Sequence, residues 1–143
     1  MCSILLVDDD SSVLLTLSIA LKRCGYQVTV AGNGQQALEQ IQRQKFDAMV
    51  SDIRMPGMSG LELAAKVQTL ENPPRIILTS AHYDPSLSPN PAQIAEVFLQ
   101  KPIEIDALCE QLNKKPRRRL ASFRRQRERL IRQSKREAHR LMA

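Results

Sequence analysis

Val50-Ser51-Asp52-Ile53-Arg54-Met55-Pro56-Gly57-Met58-Ser59-Gly60 is the stretch whose reading decides the fold. The residues from Phe46 to Val50 read as a short buried strand, and the chain then delivers the carboxylate of Asp52. Pro56, Gly57 and Gly60 mark a tight loop. A helical pattern starts at Leu61. Open α/β sheets build their sites this way, with a strand carrying an acid to its carboxyl end before the chain turns into a helix. A lone Asp there also reads as a simple loop cap, so the other strand ends carry the decision.

Toward the N-terminus, Ile4-Leu5-Leu6-Val7 is a second buried-strand signal, stopping at Asp8-Asp9-Asp10. Ser11 or Ser12 is placed to cap the helix that follows, with Val13, Leu14, Leu17, Ala20, Leu21 and Cys24 at helical spacing and Gly25 as its C′ residue. Asp10 reads as a solvated residue at that helix start. Val28-Thr29-Val30 is a strand, and Gly32-Asn33-Gly34 leads into a helix with Ala37, Leu38 and Ile41.

Toward the C-terminus, Leu61, Leu63, Ala64, Val67 and Leu70 predict a helix ended by Asn72-Pro73-Pro74. Ile76 to Ser80 and Val97-Phe98-Leu99 are strands, the latter ending at Lys101-Pro102. Between them Pro85, Pro89 and Pro91 predict a short or broken helix over 83–93, with His82 in a loop. Ile105, Leu108, Cys109 and Leu112 form the last helix of the domain.

Five strands alternating with helices predict a doubly wound α/β fold around a parallel sheet. Its carboxyl edge then gathers Asp8-Asp9-Asp10, Asp52, Thr79-Ser80 and Lys101. Crowded carboxylates repel one another, and a divalent cation relieves them. Oxygen ligands select a hard ion such as Mg²⁺. A lysine pairs with phosphate and a hydroxyl donates to a phosphoryl oxygen, so the set suits phosphoryl transfer to an acidic nucleophile.

Leu6-Val7-Asp8-Asp9-Asp10, Ser51 through Gly60, Ile77-Leu78-Thr79-Ser80-Ala81-His82 and Phe98-Leu99-Gln100-Lys101-Pro102 together resemble a response-regulator receiver domain of two-component signalling. The resemblance spans roughly residues 3–113 and implies a five-stranded, flavodoxin-like sheet in the order 2-1-3-4-5. It implies Asp52 as phosphoacceptor from a phosphohistidine on a sensor histidine kinase or phosphotransfer protein. Mg²⁺ would be held by Asp9, Asp52 and the Arg54 carbonyl, with Asp8 acting through water. Lys101 would pair with the phosphoryl group, and its bond to Pro102 would be cis. Either Thr79 or Ser80 is placed to be the switch hydroxyl; the family pattern puts a small residue next, and Ala81 favours Ser80. Phe98 would be the aromatic that turns inward, although any buried strand accepts Phe. Arg54 would face solvent and influence acyl-phosphate hydrolysis. Such a protein is not an enzyme in the usual sense, since it catalyses its own phosphorylation and dephosphorylation. A fourth helix belongs where the Pro-rich stretch 83–93 stands.

A rival is a Mg²⁺-dependent haloacid-dehalogenase-like phosphohydrolase, with Asp8 as nucleophile and Asp10 as general acid in Asp8-Asp9-Asp10-Ser11-Ser12. It leaves Asp52 and its loop unexplained. A third alternative is a non-catalytic interaction module working through the C-terminal segment.

The charge divides there. Residues 1–113 carry 8 Lys and Arg against 13 Asp and Glu, a net of −5, whereas 114–143 carry 13 against 2, a net of +11. A receiver domain over 1–114 and a basic amphipathic helical arm or linker over 115–143 are expected, with Pro116 at the break. Leu120, Phe123, Leu130, Ser134, Ala138 and Leu141 lie near one stripe, suited to a homodimer through residues 118–142. The arginines around it suit nucleic acid or another acidic surface. No apolar run reaches a membrane span, and no signal peptide is read at the N-terminus. Three scattered cysteines fit neither a disulfide framework nor a zinc site. A cytoplasmic setting follows.

Overall fold

The computed structural model of the protein describes residues 2–81 and 97–114, together with Arg132 and Arg136. Its elements run β1 (Ser3–Val7), α1 (Ser11–Arg23), β2 (Gln27–Ala31), α2 (Gly34–Arg43), β3 (Ala48–Asp52), α3 (Gly60–Gln68), β4 (Arg75–Ser80), β5 (Val97–Gln100) and α4 (Ile105–Asn113). All strand pairs are parallel, in the order β2-β1-β3-β4-β5. This is the doubly wound sheet expected from the alternation of strand and helix patterns.

The pleat sends alternate residues to opposite faces. Ile4 and Leu6 of β1 and Val50 of β3 pack with Leu21 of α1 and Leu108 and Leu112 of α4. Leu5, Val7 and Met49 pack on the other face with Ala37 of α2 and Leu63, Ala64 and Val67 of α3. Central strands covered on both sides have no polar face to show, which is why they read as unbroken apolar runs. Burying each such Leu or Ile contributes about 1.5–3 kcal/mol, so the centre of the sheet dominates stability.

Several boundaries differ from the expectation. Asp10 caps α1, rather than Ser11 or Ser12: its Oδ1 accepts from the Ser12 backbone N at 3.0 Å and the Ser12 hydroxyl at 2.6 Å. The serine thus donates to the aspartate instead of serving as the cap. β3 begins at Ala48, not Phe46; Phe46 is buried at the strand entrance. α3 ends at Gln68, before Leu70, because the Thr69 hydroxyl donates to the Lys66 carbonyl at 2.6 Å and closes the last turn. Gly25 follows the end of α1 with φ +92°, the conformation expected of a C′ glycine. The Pro-rich stretch 83–93, His82 and the helical arm over 118–142 lie outside the described residues, save that Arg132 and Arg136 are helical and exposed.

At the amino end of the sheet, polar ties hold the termini of the elements. The Tyr26 hydroxyl donates to Asn113 Oδ1 at 2.5 Å. Arg75 Nη1 donates to the carbonyl of Leu112 at 3.1 Å and to that of Lys114. The Ser3 backbone N donates to Asp47 Oδ2 at 2.7 Å.

Candidate functional site

Strand register assembles the carboxyl edge. Val7 pairs with Ser51, Asp52 with Thr79 and Ser80 with Gln100, so the ends of β1, β3, β4 and β5 lie side by side. Asp8 and Asp52 are nearly inaccessible, 4% and 8% exposed, whereas Asp9 is exposed. Lys101 reaches both buried acids, its Nζ lying 2.8 Å from Asp8 Oδ2 and 3.2 Å from Asp52 Oδ2. The Lys101–Pro102 bond is cis, and the Lys101 backbone N donates to the Ser80 carbonyl at 2.9 Å.

The loop after Asp52 is held as tightly. The Ile53 N donates to the Thr79 carbonyl at 2.9 Å, and the Gly60 N to the Ile53 carbonyl at 2.8 Å. A Cβ at Gly60 would stand 2.1 Å from the Asp52 carbonyl oxygen, so a side chain there would displace either α3 or Asp52. In the sequence Gly60 reads only as a turn marker. Gly57 takes φ +77° at the turn itself. Met55 is buried in the α2–α3 face, and Arg54 is exposed.

Electrostatics follow from this packing. Burial pushes the Asp52 carboxyl above its ordinary value and the Asp8 charge adds to it, while Lys101 and the Arg54 backbone N–H pull the other way. For Lys101, burial disfavours the ammonium, yet its bonds and attraction to Asp8 and Asp52 outweigh that and raise it. The carboxylates of Asp8, Asp9 and Asp52 offer oxygens all within 4.8 Å of one another. These hard oxygen donors fit Mg²⁺, because among the described residues a single ammonium reaches the group and leaves it short of positive charge. Asp8 has both oxygens engaged, Oδ1 by the Asp10 backbone N at 2.9 Å and Oδ2 by Lys101. Its carboxylate thus lies within the same acidic cluster as Asp9 and Asp52.

The two hydroxyls separate by face. Thr79 follows Ile77 onto the face of α1 and α4, and its Oγ1 lies 3.5 Å from the Ser51 carbonyl. Ser80 follows Ile76 and Leu78 onto the other face. Phe98 pairs with Leu78, is half-buried, and packs against that same cluster. Ser80 and Phe98 thus share a side of the sheet, which linear sequence alone does not decide.

Residues 4–113 match the family model described as the response regulator receiver domain. Over 111 residues the chain is 37% identical to transcriptional regulatory protein GlrR of Escherichia coli K12, covering 77% of this chain and 25% of that protein. Over 106 residues it is 33% identical to transcriptional regulatory protein FixJ of Bradyrhizobium diazoefficiens, covering 73% and 52%. The fold matches the chemotaxis response regulator CheY4 of Vibrio cholerae with a TM-score of 0.71 and 30% identity, over 78% of this chain and 96% of that one. It also matches response regulator TrrA of Thermotoga maritima, solved with Mg²⁺ and BeF, with a TM-score of 0.71 and 31% identity over the same shares.

The edge of acids and lysine at the mouth of a 2-1-3-4-5 sheet defines a phosphoacceptor module of two-component signalling. The chain belongs to the response regulator receiver domain family. It spans about a quarter to a half of the length of the two curated relatives named. Neither the phosphohydrolase reading nor that of a non-catalytic interaction module is favoured by this match.

Proposed function

We propose that Asp52 is the residue that takes the phosphoryl group. One of its carboxylate oxygens attacks the phosphorus of a phosphohistidine on a sensor histidine kinase or phosphotransfer protein. The P–N bond breaks, its electron pair stays with the imidazole, and an acyl phosphate forms. Water later attacks that phosphorus, returning the carboxylate and inorganic phosphate. The observation that carries this reading is the Lys101 ammonium, bonded at once to Asp8 and Asp52 at the strand ends. Asp9, Asp52 and the Arg54 carbonyl would hold Mg²⁺, with Asp8 alongside. When bound, the ion supplies the positive charge that lets an anionic oxygen approach an anionic phosphoryl group. After transfer, Lys101 turns from the carboxylates to a phosphoryl oxygen. Ser80 donates to another, helped by the Ala81 N–H, and Phe98 follows Ser80 on the shared face. Thr79 is the adjacent hydroxyl, on the face away from Phe98.

Incubation with acetyl phosphate and Mg²⁺, followed by mass spectrometry, tests the assignment. Label on Asp52 that vanishes in Asp52→Ala is expected. Label on Asp8, or label that survives the substitution, overturns it.

The partners extend beyond the kinase. The apolar stripe of residues 118–142 supports a homodimer, and the net charge of +11 over 114–143 supports contact with nucleic acid or another acidic surface. Light scattering of the full chain against one ending at Lys114 distinguishes them. Dimers that need the arm and persist at high salt indicate the apolar seam, since screening weakens only charge-driven contact. Monomers in both forms at every salt refute the dimer. The three free thiols support a reducing, cytoplasmic setting, and among the described residues no helix is long and apolar enough to cross a membrane.

A further inference from the structure

The cysteines are the reactive groups that phosphoryl transfer leaves unused. Positions 2, 24 and 109 are far apart in sequence, yet the topology gathers them at the amino end of the sheet, away from Asp52. Cys24 is the C-cap of α1 and is exposed. Cys109 lies on α4, half-buried against the cluster that holds Leu21, Leu108 and Leu112. The bond from Tyr26 to Asn113 ties the chain just past α1 to the end of α4. Cys109 precedes Asn113 by one helical turn and so shares its face. That tie sets Cys109 against Cys24, which precedes Tyr26 by two residues. The Cys24 thiol lies near enough to Cys109 to act on its thiol. Cys2 packs on the same cluster, but burial and the nearby Asp47 charge push its thiol up. All three are free.

We propose that Cys24 and Cys109 are a thiol pair that closes to an intramolecular disulfide on meeting a peroxide and reopens with a thiol reductant. Exposed Cys24 reacts first. Its sulfur gives up its proton and attacks a peroxide oxygen, the O–O bond breaks, the departing hydroxide takes that proton as water, and Cys24 is left as a sulfenic acid. The Cys109 thiol then gives up its proton as its sulfur attacks the Cys24 sulfur, the S–O bond breaks, and the departing hydroxide takes that proton as water. In sum, two thiols and one hydrogen peroxide give one disulfide and two waters. Burial pushes the Cys109 thiol up to about 11, with the Cys24 thiol and the Asp106 charge adding to it. Cys109 therefore rests protonated and unreactive until its neighbour is oxidised. A transient, oxidant-driven bond of this kind is the form that suits a reducing compartment. It joins α1 to α4 beside Lys114, where the basic arm begins.

The test treats the full chain with graded hydrogen peroxide, blocks remaining thiols, and identifies linked peptides by mass spectrometry after non-reducing digestion. A Cys24–Cys109 peptide is expected in the natural chain and in Cys2→Ser. It should be absent from Cys24→Ser and Cys109→Ser, and dithiothreitol should remove it. The oxidised Cys2→Ser chain should melt about 5 °C or more higher than its reduced form, because the bond closes a long loop. Should Cys109→Ser fail to fold, Cys24→Ser at its exposed site serves as the control. Three outcomes overturn the proposal: Cys24 oxidised to sulfinic acid while Cys109 stays open to alkylation, a Cys24–Cys24 link between two chains, or a link that contains Cys2.

Discussion

The two ends of the sheet are built on opposite terms. At the carboxyl end, Asp8 and Asp52 are buried close together with one lysine between them, and burial raises the Asp52 carboxyl. At the amino end, polar groups meet complementary partners: Tyr26 with Asn113, Arg75 with the carbonyls of Leu112 and Lys114, the Ser3 N with Asp47. The first end holds charges that a ligand or a phosphoryl group can rearrange. The second holds the chain ends in place. Substitutions at the carboxyl end should thus change function more than stability, and those at the amino end the reverse.

Lys101→Ala carries the largest expected effect. The variant should fold, bind Mg²⁺ and accept phosphate slowly, yet lose the change in its two-dimensional amide spectrum that phosphorylation causes in the natural chain. An unfolded Lys101→Ala would break the contrast, by showing that this end also carries stability.

Asp52→Asn comes next. A carboxyl raised in the folded state binds its proton more tightly there than in the unfolded chain. Stability therefore falls as pH rises through the interval above the ordinary 3.8. Without Mg²⁺ at pH 7, Asp52→Asn should melt higher than the natural chain, and the gap should close as pH drops below that interval. Lys101 runs the opposite way in charge: its contribution is present below the ordinary 10.5 and is lost as pH climbs through its raised value. Melting temperatures from pH 3 to 8 check the first sign. A variant that melts lower at pH 7 would mean that the bond from Lys101 outweighs the burial of Asp52.

Tyr26→Phe is the smallest. It removes one hydroxyl from a surface tie and should cost about 1 kcal/mol in denaturant unfolding, leaving the rate of Asp52 labelling unchanged. A slowed label would show that the two ends are coupled.

Much of the carboxyl end was legible because each of its residues stands within two positions of the end of an apolar run. Asp8, Asp52 and Lys101 needed only the strand pattern to be placed on one edge. Ser80 and Thr79 needed the pleat as well, since adjacent residues differ only in the face they join. The cap of α1 was illegible for another reason: Asp10, Ser11 and Ser12 are all good caps, and the bond between Asp10 and Ser12 settles which one accepts. Cys24 caps α1 and Cys109 lies on α4, elements far apart in the chain, so nothing local in the sequence relates the two thiols.

Arg75 has a mechanical consequence. It is the first residue of β4, and its guanidinium donates to the carbonyls of Leu112 and Lys114 at the end of α4. The last residue of β4 is Ser80, roughly 17 Å further along the strand. A pull on the backbone beyond Lys114 therefore reaches α4 directly and β4 through the two bonds of Arg75.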